Sequence, residues 1–185
     1  MESKSKNILI GALLAVVFVM AVGYAAFAQQ LTINGSAEID STWDVHMTQT
    51  GASATPNYTN NATTGGTVTV NDGGLTATFS ATLISPGDKV TFIVPIENTG
   101  TLDARLNEIK LSSDTEGMQI SDLVATSQDG NIRYTVTSPG TNTLVKENGT
   151  AQLTVVAEFV NNPSGQGNAQ NATANLTVTM NYVQA

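Results

Sequence analysis

The chain has 185 residues, no cysteine, one histidine, a formal net charge of −8 and only 12% charged residues. That charged share is roughly half of an ordinary soluble domain's. An acidic, cysteine-free chain lacks the basic stripe that neutralises phosphates, any disulfide frame and any thiolate site. A single imidazole excludes mechanisms that need two. Thr (27), Asn (17) and Gly (16) make up about a third of the chain. Thr favours strands, and Asn and Gly favour turns.

Residues 1–28 read as an export signal. Lys4 and Lys6 give the positive start, and Ile8 to Val22 form an apolar run interrupted only by Gly11. Ala26-Phe27-Ala28 fits the A-x-A cleavage pattern, which places the cut between Ala28 and Gln29. The mature chain then has 157 residues and a net charge of −9. A cut just before Phe27 is the other position the pattern allows. The uncharged stretch from Ile8 to Ala28 is also long enough to span a bilayer as an uncleaved anchor. In both readings the rest of the chain lies outside the cytoplasm, an extracellular or cell-surface location.

Residues 29–47 follow as N-terminal strands. In Gln29-Gln30-Leu31-Thr32-Ile33-Asn34-Gly35-Ser36-Ala37-Glu38-Ile39, the residues Leu31, Ile33, Ala37 and Ile39 share one face, with Gly35 between them. Trp43, Val45 and Met47 repeat the alternation. A free-ended apolar strand seeks a partner for both its backbone edge and its side chains. Two placements are open: first strand of its own domain, or insertion into a neighbour's sheet. The second is head-to-tail and does not close, so it builds a filament.

Residues 48–66 (and Gln49–Gly66 within them) read as an Asn/Thr/Gly-rich surface loop, as does Asn161–Gln170. Residues 67–185 hold the remaining strands, in one domain with 29–47. Strict apolar/polar alternation marks Leu75–Leu83, Val90–Ile96, Ile132–Val136, Leu153–Phe159 and Leu176–Tyr182. Ser85-Pro86-Gly87-Asp88 has Pro and Gly where a type II turn needs them, so the strands on either side pair or cross between sheets. Asn98-Thr99-Gly100, Gln128-Asp129-Gly130 and Ser138-Pro139-Gly140 are further turns. Leu106, Ile109 and Leu111 break period two, which predicts a bulge near Asn107. No amphipathic helix follows the signal; Ser121–Thr126 is at most one turn. The pattern predicts an all-β, two-sheet β-sandwich of jelly-roll type preceded by a signal helix.

No catalytic or metal site is visible, and no cofactor is implied. His46 alternates with Val45 and Met47 and so falls on the polar face of a strand. There is no H-E-x-x-H and no G-x-S-x-G. Asp114-Thr115-Glu116 and Asp40/Asp44 lack calcium-loop spacing and read as solvated loop carboxylates. Six N-x-S/T sequons stand at Asn34, Asn57, Asn61, Asn148, Asn171 and Asn175; they matter where the host glycosylates exported Asn.

Three stretches carry a family resemblance. Gly23-Tyr24-Ala25-Ala26-Phe27, then Leu83-Ile84-Ser85-Pro86-Gly87-Asp88-Lys89-Val90-Thr91-Phe92, then Ile96-Glu97-Asn98-Thr99-Gly100-Thr101-Leu102 resemble the TasA/camelysin-like group of exported fibre-forming proteins. The resemblance implies an extracellular subunit that polymerises with itself into matrix or pilus-like fibres. It also implies processing by a signal peptidase and a donor strand at about Gln29 to Ala37. Pro86-Gly87-Asp88 and Asn98-Thr99-Gly100 would then be structural turns. The metalloprotease activity described for some of the group is not carried over, since this chain has one His and no zinc motif. The insert from Thr48 to Gly66 departs from the group's pattern. A monomeric surface module that binds glycans, a cell surface or matrix components is the alternative, and a camelysin-like protease the remaining one.

Overall fold

The computed structural model describes residues 2–27, 41–57, 65–140, 143–160 and 172–185. The chain falls into two compact units, Met1–Ile39 and Asp40–Ala185.

The first unit contains helix α1 (Glu2–Phe27), whose stretch Lys4–Val22 is long and apolar enough to cross a membrane. Its described side chains are exposed throughout, as expected of a signal sequence or anchor with no apolar partner around it. Ala28, Gln29 and the donor-strand candidates Gln30 to Ala37 lie outside the described residues.

The second unit is all β, in two antiparallel sheets. One has the order β1 (Val45–Met47), β5 (Lys89–Asn98), β10 (Gly149–Phe159), β9 (Ile132–Thr137), β8 (Val124–Thr126) and β7 (Gln119–Ser121). In the same sheet, β2 (Ser53–Asn57) pairs with β5 further along, on the side that β1 occupies. The other sheet has the order β3 (Gly65–Val70), β4 (Thr76–Leu83), β11 (Ala172–Gln184) and β6 (Ala104–Ser112). The strands predicted from alternation are the central ones of both sheets. Their apolar residues face one shared core, and the two faces make the unit sandwich-like. Phe79 of one sheet meets Phe92 of the other edge-to-face, ring centroids 5.4 Å apart at 69°. Such a pair adds about 0.5–1.5 kcal/mol to the burial of its rings. Burial also raises the Tyr182 phenol to about 12.

Residues 75–83 and 89–97 do not pair; β4 and β5 belong to different sheets, and the turn between them carries the chain across. Gly87 has φ +93 and the Asp88 amide donates to the Ser85 carbonyl at 2.9 Å, the geometry of the predicted type II turn. The buried Asp88 carboxylate accepts the Ser85 amide at 3.0 Å and the Ile84 amide at 3.3 Å, which ties the turn to its own entry. The bulge also lies where the apolar spacing placed it. On β6, Glu108 pairs with Asn181 and Leu106 with Tyr182, so Asn107 is the extra residue.

Three expectations need correction. Residues 48–66 are not simply a loop: Ser53–Asn57 forms β2 and Gly65 opens β3. The register of β2 against Lys89–Ile93 comes from the long strand β5, not from its own sparse apolar pattern. Ser121–Thr126 is not a helical turn but the tip of a β7–β8 hairpin, with Asp122 at φ +51 between Ser121 and Val124. Trp43 does not join the face of Val45 and Met47; it is 44% exposed while they are buried, because the strand begins only at Val45.

Candidate functional site

The chemically distinctive residues gather where the chain enters the second unit. His46 stands on β1 between the inward Val45 and Met47, so its ring points outward beside Asp44 two residues back. His46 Nδ1 and Asp44 Oδ1 are 2.8 Å apart, and Thr99 Oγ1 donates to Asp44 Oδ2 at 2.6 Å. The Thr99 hydroxyl and the His46 ring hold the Asp44 carboxyl below its usual range. The backbone joins in: the Asp44 carbonyl accepts the amides of Thr99 and Gly100, and Thr42 and Thr101 bond each other twice. Thr42 to Asp44 are thereby latched to the turn after β5. Gly100 is required at that turn, because a Cβ there would lie 2.6 Å from both Asp44 N and Thr42 O. Asn98 closes the turn from inside the protein, its buried amide donating to the Leu102 and Leu144 carbonyls at 2.9 Å each.

Beside the latch lies an open depression of about 460 Å³, lined by His46, Thr48, Gln49, Asn71 and Asp72 among others. His46 has an orienting carboxylate, but no Ser or Cys lines the depression to serve as its nucleophile. Among the described residues no three His, Asp or Glu side chains gather as metal ligands. Asp114 and Glu116 are exposed. Asp129 folds into its own turn: burial pushes its carboxyl up, and the bonds from Ser127 and Asn131 outweigh this and lower it. The geometry here holds a chain segment in place.

The sheet edges are the other candidates, since an unpaired edge is the binding element of strand addition. The outer edge of β3 is covered. Gln49 Nε2 donates to the Val68 carbonyl at 3.3 Å and its Oε1 accepts the Val70 amide at 2.8 Å, so one side-chain amide bonds two backbone groups of this edge. At the opposite edge, β6 is bridged by Leu144 at Ala104 alone. From Arg105 to Ser112 the side of β6 away from β11 has no bonding partner among the described residues. Its core-facing Leu106, Ile109 and Leu111 are only half-buried, whereas Leu176, Val178 and Met180 of the neighbouring β11 are buried. Sequence reasoning missed both edge properties; the Gln49 contact spans about 20 residues and has no local signature.

Of the sequons, Asn57 ends β2, Asn148 sits in the exposed turn before β10, and Asn175 is half-buried within β11 opposite Ser80. Asn175 is also crossed by Ser113 and Thr115, which bond its carbonyl and its amide. Asn34, Asn61 and Asn171 lie outside the described residues. The outer faces of the two sheets differ in chemistry. On the larger, Glu158 is paired with Lys89 and Arg133 at 3.1 and 3.0 Å. On the smaller, threonines stand in cross-strand pairs: Thr76 with Thr179, Thr78 with Thr177 and Thr82 with Thr173, at 3.3–3.4 Å between hydroxyls.

No protein-family model, curated protein or solved structure matches the chain.

Proposed function

We propose that the protein is an extracellular structural subunit that polymerises with itself into surface or biofilm-matrix fibres. The N-terminal strand, about Gln29 to Ala37, inserts into the neighbouring subunit as a donor strand. One observation carries this reading. The chain divides after Ile39, and among the described residues the core of the second unit is drawn from Val45 to Tyr182. The sequence segment with alternating Leu31, Ile33, Ala37 and Ile39 precedes a unit whose described core has two facing sheets. Ladder bonds supply affinity and alternate side chains supply register in such an addition. The contact is heterologous and propagates without closing.

The resemblance to the TasA/camelysin-like group points the same way. It also suggests a jelly roll for the two sheets, export through α1 and removal of that helix by a signal peptidase after Ala28. In this reading the latch of Thr42 and Asp44 fixes the root of the donor strand. The protein is then a binding element and not an enzyme.

Deleting Gln29–Ile39 is expected to leave a folded monomer at all concentrations in light scattering, while the intact protein grows into filaments. Filaments formed equally by the deleted chain would contradict the reading. The alternative, a monomeric adhesion or glycan-binding module, is favoured by the uncharged threonine face of the smaller sheet. A mass independent of concentration in the intact protein would select it. A camelysin-like protease would have to work through His46, and loss of casein cleavage in His46→Ala would be its mark.

A further inference from the structure

We propose that the open edge of β6 is the acceptor of the donor strand. Residues Leu31–Ile39 of a second copy add antiparallel to β6, and their apolar face closes the seam that β6 leaves half-exposed. This rests on the fibre reading above and assigns its acceptor surface.

The two edges of the smaller sheet contrast. The Gln49 amide bonds two backbone groups of the β3 edge, while the outer β6 backbone from Arg105 to Ser112 has no bonding partner among the described residues. On β6 the half-buried Leu106, Ile109 and Leu111 pack against the core from this edge, and Met118 and Leu123 further along the chain are half-buried against the same core. One more strand beside β6 would cover its three apolar side chains further from water.

Register and charge also fit. With Ala104 bridged to Leu144 and Asn107 bulged out, the open edge Arg105–Ser112 offers seven pairing positions, which Thr32–Glu38 matches in number. The segment carries one charge, Glu38. Running antiparallel, with Glu38 opposite the exposed Arg105, it keeps this carboxylate away from Asp114 and Glu116 beyond the far end of β6. The parallel direction would bring it towards them. With Glu38 at Arg105, Ala37 falls opposite Leu106. The extra residue Asn107 then shifts the count by one, so Gly35 meets Ile109 and Ile33 meets Leu111. Without the bulge these inward residues would meet the outward Asn34 and Thr32. The bulge brings the apolar faces of the two strands into phase.

The chain has no cysteine, so an introduced pair reports only itself. Protein purified from cells as the Ile33→Cys variant is mixed with Leu111→Cys protein and oxidised during assembly. The expected result is a mixed disulfide dimer, absent when Ile33→Cys is mixed with Val68→Cys on the covered edge. Filaments in which Ile33→Cys joins Val68→Cys, or neither partner, would overturn the β6 assignment and leave the fibre reading standing. Absence of both filaments and cross-links would overturn both. A charge exchange tests direction without cysteines. Arg105→Glu should slow filament growth, and adding Glu38→Lys should restore it. No recovery in the double variant would contradict the antiparallel register.

Discussion

The two edges of the four-stranded sheet carry similar backbones and differ in what meets them. At β3, a glutamine from the chain before β2 reaches back and bonds Val68 and Val70, and Gly66 lets the strand lie close to the Phe92 ring. At β6, the outer backbone from Arg105 to Ser112 has no such cover among the described residues, and the apolar side chains behind it stay half-exposed. Natural sheets protect an edge when pairing there would be harmful. The two edges are handled differently: a side chain bonds the backbone of β3, whereas β6 leaves its backbone open and carries charge and a bulge that restrict which strand can pair. β6 is also marked by charge, with Lys110 and Glu108 paired on its outer face at 3.2 Å and Arg105 exposed. Charge on the outer face limits which strand can add and leaves the backbone edge itself open.

The comparison separates stability from assembly. Phe79→Ala, in the shared core behind β4, should cost about 3–5 kcal/mol in denaturant unfolding. Ile109→Ala, on the open edge, should cost less than half of that because its side chain is already partly in water, yet it should abolish filament growth. Equal losses of stability at the two positions would break the distinction. Gln49→Ala should remove two exposed backbone contacts worth together about 1–3 kcal/mol, and should give β3 a new tendency to associate. Unchanged stability and no new species in light scattering would remove Gln49 as a cap.

The smallest effect concerns the latch. The Asp44 carboxyl is lowered by Thr99 and His46, so its folded value lies below its unfolded one. A lowered carboxylate contributes stability above its unfolded value, and that contribution is lost as pH falls through the folded one. The latch should therefore hold at neutral pH and loosen in acid, below about pH 4. Trp43, the sole tryptophan and half-exposed beside the latch, should report this as a fluorescence change that Asp44→Asn abolishes. A titration unaffected by Asp44→Asn would place it elsewhere, for example at Glu158. Burial pushes the Glu158 carboxyl up, but the bonds from Lys89 and Arg133 outweigh this and lower it.

The central strands were legible in the sequence because both faces of each report on burial: Ala77, Phe79, Ala81 and Leu83 point inward while Thr78 and Thr82 do not. The bulge at Asn107 was legible because a skipped residue breaks the period of the apolar positions. β2 was not, because Ala54 and Pro56 are weak signals. Pro is tolerated there because β2 lies at the edge beside β5. The β7–β8 hairpin has strands of three residues, too short for alternation to speak. In the latch, Asp44 and His46 are local and readable, while Thr99 is brought to them only by the pairing of β1 with β5.

Hydrogen exchange on the assembled protein separates β6 from β3 as the acceptor. Amides of residues 31–39 and 105–112 should gain protection together on assembly, while those of Gly65–Val70 stay as they were. Protection gained at Gly65–Val70, or assembly with no change at 31–39, would contradict it.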